Sequence, residues 1–431
     1  MSPSPAPYPA RIAVVGASAA GLAAVEALRR AGWDGALTLV GEEEHLPYDR
    51  PPLSKQLLSG DWEPERTALR AAAQLDALDL DLRRGTRATG LDPAARRVTL
   101  DDGTVLDCAG VIVATGVRAR TLPGTEGVAG VHELRTLDDA LRLRERLATP
   151  GRRLVVVGMG VLGAEAAAVA RKLGHEVTLV GPGDAPMVRP LGAGVGELLA
   201  RVHRDNGVEL LTGRRVAGVE ADGEGRATGV RLADGTHVPA DTVLVAIGSD
   251  PAVEWIAGPD GTAGGLDLTD GLGCDAYCAA APGIYAAGDV ARWHHPVLER
   301  GLRVEHRMNA TEQGLLAARN LLAELDGERF GERRTFAPVP YFWSDQYELK
   351  LQAYGDLDAT DHVELLHLAE DPDAAPRRAA ALYGRAGLAT GVLAVGLPPR
   401  QVRGLRALVA TPSPWNEALA RLRESVAGAA A

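Results

Sequence analysis

Two glycine-rich turns are the clearest candidates for chemistry in this sequence. The first runs from Gly16 to Gly21 (GASAAG) and the second from Gly158 to Gly163 (GMGVLG). Small residues at these spacings let the backbone close on a pyrophosphate, and the N–H groups at the start of the next helix attract its negative charge. The second turn matches G-x-G-x-x-G in full, whereas Ser18 replaces the middle glycine of the first. The sequence therefore predicts two dinucleotide-binding turns, although the first, taken alone, is also compatible with an ordinary strand–helix connection.

Charged residues near these turns are candidates for ligand contacts. Glu42 follows the strand after the first turn, where a carboxylate can hold a ribose hydroxyl. Arg50 and Lys55 lie in a segment with three prolines, which favours a stiff, extended backbone, and Lys55 is one of only three lysines in the chain. We expect Glu165 in the first turn of the helix after the second glycine turn. The alternatives are that Lys55 is a solvated loop residue and that Glu165 is only an acid favoured by the dipole at the start of its helix.

The elements around the two turns repeat. Short apolar segments predict strands on either side of each turn and its helix, at 12–15 and 37–40 and again at 154–157 and 177–180. A β-meander then leads to an apolar strand that ends in glycine, Val111–Gly116 in the first case and Val243–Gly248 in the second. Gly116 follows Gly103 by 13 residues and Gly248 follows Gly235 by 13 residues. This spacing predicts an internal duplication and two bound nucleotides, most economically a flavin and a nicotinamide.

The later part of the chain predicts how the domains are connected. Gly283–Asp289 is an apolar strand ending in Gly-Asp, where a carboxylate can bind a polyol chain. Because this strand follows the second glycine turn, the first domain is expected to be discontinuous, with the second inserted into it. From about Arg333 the composition changes, and strands and closing helices follow an aromatic segment. We therefore predict an α/β fold with two Rossmann-like domains plus a C-terminal α+β domain, divided as residues 1–118 and 250–330 for the flavin, 119–249 for the nicotinamide, and 331–431.

Composition excludes several classes of function. The 431 residues carry a formal net charge of −11, which argues against nucleic-acid or membrane binding. Met1–Ala10 resembles a loose tail more than a signal peptide, so we expect a cytoplasmic protein. The three cysteines do not form a zinc pattern, and none lies between residues 41 and 60. Disulfide reductases need cysteine directly after the first nucleotide segment, so that class is excluded.

In order along the chain, these motifs resemble a known family. They are GASAAG with Glu42, PYDRPPLSK, ATGVRAR, LRTLDDA, GMGVLGAE, AAGD, RVEH and PYFWSDQY, and they span Arg11 to about Leu405. The sequence resembles the FAD-dependent NAD(P)H:ferredoxin reductases of the putidaredoxin reductase type, which serve bacterial cytochrome P450 and ring-hydroxylating oxygenase systems. The resemblance implies hydride transfer from the nicotinamide to the flavin, followed by single-electron transfer to an iron–sulfur ferredoxin.

The resemblance also implies roles for individual residues. The first turn, Glu42, and residues along the flavin nucleotide would bind FAD; these are Gly16, Ala17, Ser18, Ala20, Gly21, Glu42, Arg50, Lys55, Ala88, Thr115, Gly116, Arg135, Asp289 and Val304. The second turn and its neighbours would bind the nicotinamide nucleotide; these are Gly158, Gly160, Val161, Leu162, Gly163 and Glu165, with Gly248 also a cofactor-binding candidate. Lys55 and Glu165 are the candidate catalytic residues and are expected to pair. Trp343 is expected near the exposed flavin edge, on the side where the ferredoxin docks.

Two positions depart from the family pattern. After Val180 the family often has an acid that grips the ribose of NADH, but here Gly181–Asp184 follows, without a basic cluster for a 2′-phosphate unless Arg189 turns inward. NADH is the expected donor, with NADPH as the alternative. Arg307 stands where many relatives carry an apolar residue near the flavin.

Two other functions stay open from the sequence. One is a flavin-dependent NADH oxidase without cysteine. The other is a redox or interaction protein that resembles apoptosis-inducing factor and keeps FAD for structure. We expect a monomer or weak homodimer.

Overall fold

The computed structural model describes residues 11–257, 262–358, 360–368 and 377–427. The predicted N-terminal tail, Met1–Ala10, lies outside the described residues. The chain divides into two compact units, each built from three segments. The first unit comprises Met1–Asp49, Glu65–Arg118 and Asp250–Pro338, and the second comprises Arg50–Pro64, Ala119–Ser249 and Val339–Ala431. The four-segment division predicted from the sequence stays a prediction.

The described residues form 28 strands and 11 α-helices. The strands are β1 Arg11–Val15, β2 Ala36–Val40, β3 Asp81–Arg83, β4 Ala88–Asp92, β5 Arg97–Leu100, β6 Val105–Asp107, β7 Gly110–Val113, β8 Val117–Ala119, β9 Val131–His132, β10 Arg153–Val157, β11 Glu176–Val180, β12 Glu209–Leu211, β13 Val216–Ala221, β14 Ala227–Leu232, β15 His237–Pro239, β16 Thr242–Val245, β17 Ser249–Pro251, β18 Leu272–Cys274, β19 Ala279–Ala281, β20 Ile284–Ala286, β21 Ala291–His295, β22 Arg300–Leu302, β23 Tyr341–Gln346, β24 Leu349–Gly355, β25 His362–His367, β26 Ala379–Arg385, β27 Leu388–Val395 and β28 Ser413–Pro414. The α-helices are α1 Ala19–Arg30, α2 Gln56–Ser59, α3 Ala72–Asp76, α4 Leu137–Arg146, α5 Val161–Lys172, α6 Val188–Leu191, α7 Ala193–Asp205, α8 Arg307–Leu325, α9 Gly327–Phe330, α10 Pro399–Leu405 and α11 Trp415–Ala427, and 3₁₀ turns span Pro64–Thr67 and Arg406–Leu408.

The first unit is organised around a six-stranded sheet in the order β19-β20-β7-β1-β2-β3. The central strand β1 is parallel to both β2 and β7. Its apolar residues are buried, as is typical of a parallel strand that is covered on both faces of the sheet. Helix α1 packs against α8 at a close approach, where a Cβ on Gly314 would lie 2.3 Å from the carbonyl oxygen of Ala20. The first glycine turn therefore sits at the carboxyl end of a buried central strand, where doubly wound sheets bind ligands.

The second unit repeats this arrangement. Its five-stranded sheet has the order β12-β11-β10-β16-β9, with β10 parallel to β11 and β16. A three-stranded antiparallel sheet, β13-β14-β15, matches the sheet β4-β5-β6 of the first unit. The internal duplication predicted from the glycine spacing is confirmed.

The second unit also contains the C-terminal sheet. Its order is β23-β24-β27-β26-β25, with β28 paired to β27. One face packs against α6 and α7 and the other against α10 and α11. The predicted fold class, an α/β protein with two Rossmann-like sheets and a C-terminal α+β domain, is confirmed. Within the described ranges, the structure contains no helix that is both long and apolar enough to cross a membrane.

Candidate active site

The first glycine turn is closed by steric contacts that only glycine allows. Gly16 has φ +116°, and a Cβ there would lie 2.1 Å from the carbonyl oxygen of Ala114. A Cβ on Gly21 would lie 1.9 Å from the carbonyl oxygen of Gly16. Ser18 precedes α1 with extended backbone, and its hydroxyl makes no capping hydrogen bond to the helix. The turn thus places the first N–H groups of α1, which have no partner within the helix, at the carboxyl end of β1, where a pyrophosphate can bind.

The second turn has the same geometry and more space. Gly158 has φ +115°, and its Cβ would lie 2.0 Å from the carbonyl oxygen of Ala246. A Cβ on Gly163 would lie 2.0 Å from the carbonyl oxygen of Gly158. In contrast, a Cβ on Gly160 would meet no atom within 4 Å. A close approach of ligand to the backbone explains why glycine occupies an open position with ordinary φ.

The strands that follow the two turns also match. Gly41 follows β2 and packs against Ala17, the second residue of the first turn, and Gly181 follows β11 and packs against Met159. Glu42 therefore corresponds to Pro182. The acid that follows β2 in the first unit therefore has no counterpart after β11 in the second, as the sequence indicated.

A buried polar atom near the first turn has no hydrogen-bond partner among the described residues. Asn309, near the start of α8, is 4% exposed, and its Oδ1 makes no hydrogen bond to any described residue. Its amide faces Gln313, whose Oε1 accepts a hydrogen bond from the N–H of Gly288 at 2.9 Å. Burying an unpaired carbonyl is costly, so the site fits a polar cofactor that supplies a donor. Sequence reasoning missed Asn309, because one Asn at a helix start looks like a cap.

The first unit holds half of the predicted site residues. They are Gly16, Ala17, Ser18, Ala20, Gly21, Glu42, Ala88, Thr115, Gly116, Asp289 and Val304. The Glu42 carboxylate lies 3.3 Å from Arg87 and 3.5 Å from Arg118 in exposed ion pairs. The Thr115 hydroxyl donates to the carbonyl of Ala252 at 2.7 Å. These bonds fix the loops around the first turn.

Three predicted flavin residues belong to the second unit. Arg50, Lys55 and Arg135 lie there with Gly158, Gly160, Val161, Leu162, Gly163, Glu165, Gly248 and Trp343. Arg50 donates to the carbonyl oxygen of Arg135 at 2.6 Å, so these two are brought together. The expected extended backbone is wrong at Pro51 and Pro52, because the N–H of Leu53 bonds the carbonyl of Arg50 in a turn whose second residue is Pro51. Proline favours the second position of such turns.

Lys55 and Glu165 form a buried ion pair. The Lys55 Nζ lies 2.8 Å from Glu165 Oε2, and their side chains are 11% and 4% exposed. The Ser54 hydroxyl donates to the same oxygen at 2.6 Å. Glu165 Oε1 accepts from the Ser344 hydroxyl at 2.8 Å and from the N–H of Asp345 at 3.3 Å. The expected pair is present, and two serines that sequence reasoning missed complete it.

The position of Glu165 in its helix corrects an expectation. It is the fifth residue of α5, and no acid occupies the first turn of that helix. The dipole of the helix acts mainly within the first turn, so it gives little reason for an acid here. Binding to Lys55 and the two serines accounts for this residue better.

Two further side chains have defined neighbours. Trp343 is half-buried on β23 and stacks on Tyr341, with ring centroids 5.9 Å apart. Arg307 forms an ion pair with Asp49 and donates to Thr311. Arg307 is therefore held by an acid of the PYDRPPLSK motif within the first unit.

The environments of the three cysteines disfavour the thiolate. Burial raises the pKa of Cys108 to about 11 and that of Cys278 to about 12. Burial also raises the pKa of Cys274. A thiolate is the reactive form of cysteine, so thiol redox chemistry is disfavoured at all three positions.

Comparison with known proteins identifies the family of this chain. Residues 10–314 match the family described as pyridine nucleotide-disulphide oxidoreductase, and residues 341–424 match the reductase C-terminal domain. The ferredoxin–NAD(+) reductase component of the anthranilate 1,2-dioxygenase system of Burkholderia cepacia is 39% identical over 79% of this chain and 81% of its own.

Solved structures give the same result. The putidaredoxin reductase chain in its covalent complex with putidaredoxin superposes with a TM-score of 0.85 at 32% identity, covering 98% of this chain and 99% of that one. The ferredoxin reductase for the CYP199A2 system of Rhodopseudomonas palustris gives a TM-score of 0.85 at 31% identity, covering 98% and 100%. The fold and turns thus define a pyridine-nucleotide oxidoreductase, and the chain belongs to the ferredoxin reductase family within that class.

Proposed function

We propose that this protein is a flavin-dependent reductase that oxidises NADH and passes single electrons to an iron–sulfur ferredoxin. The observation that carries the proposal is the duplicated dinucleotide turn, one in each unit, with the buried Lys55–Glu165 pair beside the second. The ferredoxin follows from the relatives, which are named as ferredoxin reductases. FAD, when bound, accepts a hydride from a nicotinamide and releases its electrons one at a time.

The chain's own residues bind and position the two nucleotides. Gly16 and Gly21 shape the turn that holds the FAD pyrophosphate, and Asn309 offers a buried acceptor to the cofactor. Gly158 and Gly160 do the same for the nicotinamide nucleotide. No residue has to act as a general acid or base, since a hydride moves without a separate proton transfer.

Lys55 and Glu165 set the local charge beside the nicotinamide turn. Glu165 lies on the helix that begins at that turn, and its carboxylate fixes the ammonium of Lys55. The positive charge of Lys55 is held in a buried site, where electrostatic interactions are stronger than in water. In this proposal the pair positions the nicotinamide and tunes the charge that it meets.

NADH is the proposed donor. Residues 181–185, which follow β11, contain no Lys or Arg to bind a 2′-phosphate. Arg214 is paired with Asp234, and Arg189 is exposed on α6. Of the two arginines directly before β13, this leaves Arg215 as a candidate for binding a 2′-phosphate. Its position corresponds to that of Arg87 in the first unit. A related reductase is also named for NAD(+).

The aromatic residues of the C-terminal domain are the proposed ferredoxin side. Trp343, Tyr341 and Tyr354 form a continuous stack, with ring centroids 5.9 and 4.8 Å apart along it. Burial raises the pKa of Tyr354, and the nearby cations Arg403 and Arg406 lower it, which places positive charge beside the stack. Such a surface suits an acidic partner. In this proposal the ferredoxin then reduces a cytochrome P450 or a Rieske-type oxygenase.

We further propose a monomer or weak homodimer that works in the cytoplasm, where nicotinamide nucleotides are supplied. Among the described residues, the large apolar side chains that are exposed occur singly along the chain; they are Val105, Val297, Met308, Val363 and Leu388. Isolated apolar residues of this kind are normal on a protein surface.

Steady-state reduction of cytochrome c tests the proposal. The FAD-loaded protein is mixed with NADH and cytochrome c, with and without an added 2Fe–2S ferredoxin. We expect reduction that depends on ferredoxin and saturates with it. Rapid NADH oxidation by oxygen alone would instead support an NADH oxidase, and no turnover with either acceptor would support an interaction protein.

A further inference from the structure

A chain of buried side chains leads away from Glu165 within the second unit. Ser344 Oγ, which bonds Glu165, accepts a hydrogen bond from Gln346 Nε2 at 3.2 Å. Gln346 Oε1 lies 3.1 Å from His203 Nε2, and His203 Nδ1 lies 3.1 Å from the hydroxyl of Tyr347. The chain therefore joins a hairpin of the C-terminal sheet, through α7, to the helix of the nicotinamide turn.

All the donors in this chain point towards Glu165. The amide nitrogen of Gln346 donates to Ser344 and to the sulfur of Met187, so its oxygen faces His203 as an acceptor. His203 must then carry its proton on Nε2, and Nδ1 accepts from the Tyr347 hydroxyl. Ser344, in turn, donates to the carboxylate. Hydrogen bonds aligned in one direction polarise one another and strengthen the last bond, here the one to a negative charge.

Three of the four residues that lead to Glu165 are protected from water, and Tyr347 is half-buried. His203, Ser344 and Gln346 are each 0% exposed. Burial lowers the pKa of His203 to about 4, which agrees with a neutral ring that donates on one side and accepts on the other.

Tyr347 occupies a backbone position that favours other residues. It is the first of two residues in the turn between β23 and β24, and its φ is +55°. Asn, Asp and Gly are the residues typical of such turns. Its ring contacts His203 edge-on, with centroids 5.3 Å apart. A tyrosine in this unfavourable backbone conformation fits a role for its hydroxyl as the hydrogen-bond partner of His203.

We propose that Tyr347, His203, Gln346 and Ser344 form a directed hydrogen-bond chain that positions Glu165, and through it Lys55, for nicotinamide oxidation. The chain fixes Oε1, so that Oε2 stays directed at the Lys55 ammonium. These are positioning residues and need not touch either nucleotide. The inference rests on the proposed function, because it assigns the Lys55–Glu165 pair to nicotinamide binding.

Matched variants test the chain by the rate of anaerobic flavin reduction with NADH. Ser344→Ala removes the donor to Glu165, and we expect a rate about tenfold lower, the size of a lost hydrogen bond to a charged group. Tyr347→Phe removes only the far end and should lower the rate about twofold to threefold, since cooperative strengthening is modest. Tyr383→Phe is the control, because that buried hydroxyl bonds the Leu191 carbonyl and lies outside the chain.

The double variant separates a chain from independent packing effects. Once Ser344→Ala has cut the chain, adding Tyr347→Phe should cause no further loss of rate, because residues in one hydrogen-bond network are coupled. Additive losses of rate, or an equal loss in Tyr383→Phe, would overturn the proposal. A wild-type protein whose flavin NADH does not reduce would instead refute the proposed function.

The tautomer of His203 gives a readout that needs no activity. We expect the ¹⁵N shifts of its ring at pH 7 to show a protonated Nε2 and an Nδ1 that accepts a hydrogen bond. Tyr347→Phe should shift the Nδ1 signal, and Tyr383→Phe should leave it unchanged. A ring protonated on Nδ1, or on both nitrogens, would contradict the direction of the chain.

Discussion

Glu165 is a charged side chain almost fully removed from water. Its two oxygens accept four hydrogen bonds, from Lys55, Ser54, Ser344 and the N–H of Asp345. A buried ion pair is weak support for stability, because desolvation offsets much of the attraction. A site that nevertheless keeps such a pair, beside a nucleotide turn, is better explained by function than by folding.

Removing one charge of the pair should be costly in two ways. Lys55→Met leaves the Glu165 carboxylate buried without its cation, and we expect a loss of about 3–5 kcal/mol in the free energy of unfolding. Arg97→Met is the control, because Arg97 pairs with Asp107 at the surface and the variant should lose less than about 1 kcal/mol. Urea unfolding measures both.

Flavin reduction by NADH should slow strongly in Lys55→Met and stay unchanged in Arg97→Met. If Lys55→Met kept the wild-type rate, the pair would be structural and its assignment to the nicotinamide site would be wrong.

The site residues could be predicted from the sequence only where chemistry is local. The glycine turns, Glu42 and the Lys55–Glu165 pair follow from motifs and resemblance. Ser344 could not be predicted as a partner of Glu165, because the two are 179 residues apart and nothing local marks the contact. The same holds for Asn309, whose significance depends on a burial that the sequence does not show.

At the scale of elements, the two strand–turn–helix units were predicted closely. Their strands and helices agree within one or two residues, because buried β-branched strands and glycine spacing are strong local signals. Helices α4 and α7 were not predicted. Helix α4 begins at a capping box of Thr136 and Asp139, which is a signal that the sequence contains. Helix α7 has apolar residues at helical spacing, although it also contains two glycines. Strand β23 was noted only for its aromatic residues.

In the second turn, Gly160 lies in open space and Gly158 lies against a carbonyl oxygen, so substituting them should have different effects on stability and on nucleotide binding. Gly160→Ala adds a methyl group where no atom lies within 4 Å and where φ is −77°, so stability should be unchanged. Its Kd for NAD⁺ should rise roughly tenfold or more, because the methyl group occupies the space through which a pyrophosphate approaches. Calorimetry of NAD⁺ binding and urea unfolding check the two parts.

Two variants complete the comparison. Gly158→Ala places a Cβ 2.0 Å from a carbonyl oxygen and should destabilise the second unit outright. Gly404→Ala, on α10, also adds a methyl group to open space and should change neither stability nor binding. Unchanged NAD⁺ affinity in Gly160→Ala would place the nucleotide elsewhere.

For the molecule as a whole, buried and half-buried histidines predict a response to acid. Burial lowers the pKa of His132, His203 and His306 to about 4. An unfolded histidine has a pKa of about 6.5, so between these values the unfolded chain binds more protons and stability falls as pH falls. The contribution is complete above about pH 6.5 and is lost towards pH 4.

His132 gives the clearest test, because its Nε2 has no hydrogen-bond partner among the described residues. Urea unfolding of wild type and His132→Leu at pH 7.5 and pH 5 should show a smaller loss in the variant, by about 2 kcal/mol. An equal loss in both proteins would mean that His132 titrates alike when folded and unfolded.

The central claim is that one chain binds a flavin and a nicotinamide and moves electrons from the second to a ferredoxin. Anaerobic mixing of the FAD-loaded protein with NADH, and separately with NADPH, tests it most directly, with the flavin absorbance as the signal. We predict prompt bleaching that is faster with NADH, and recovery of the band when an oxidised 2Fe–2S ferredoxin is added. A bound flavin that neither nucleotide bleaches would contradict the account.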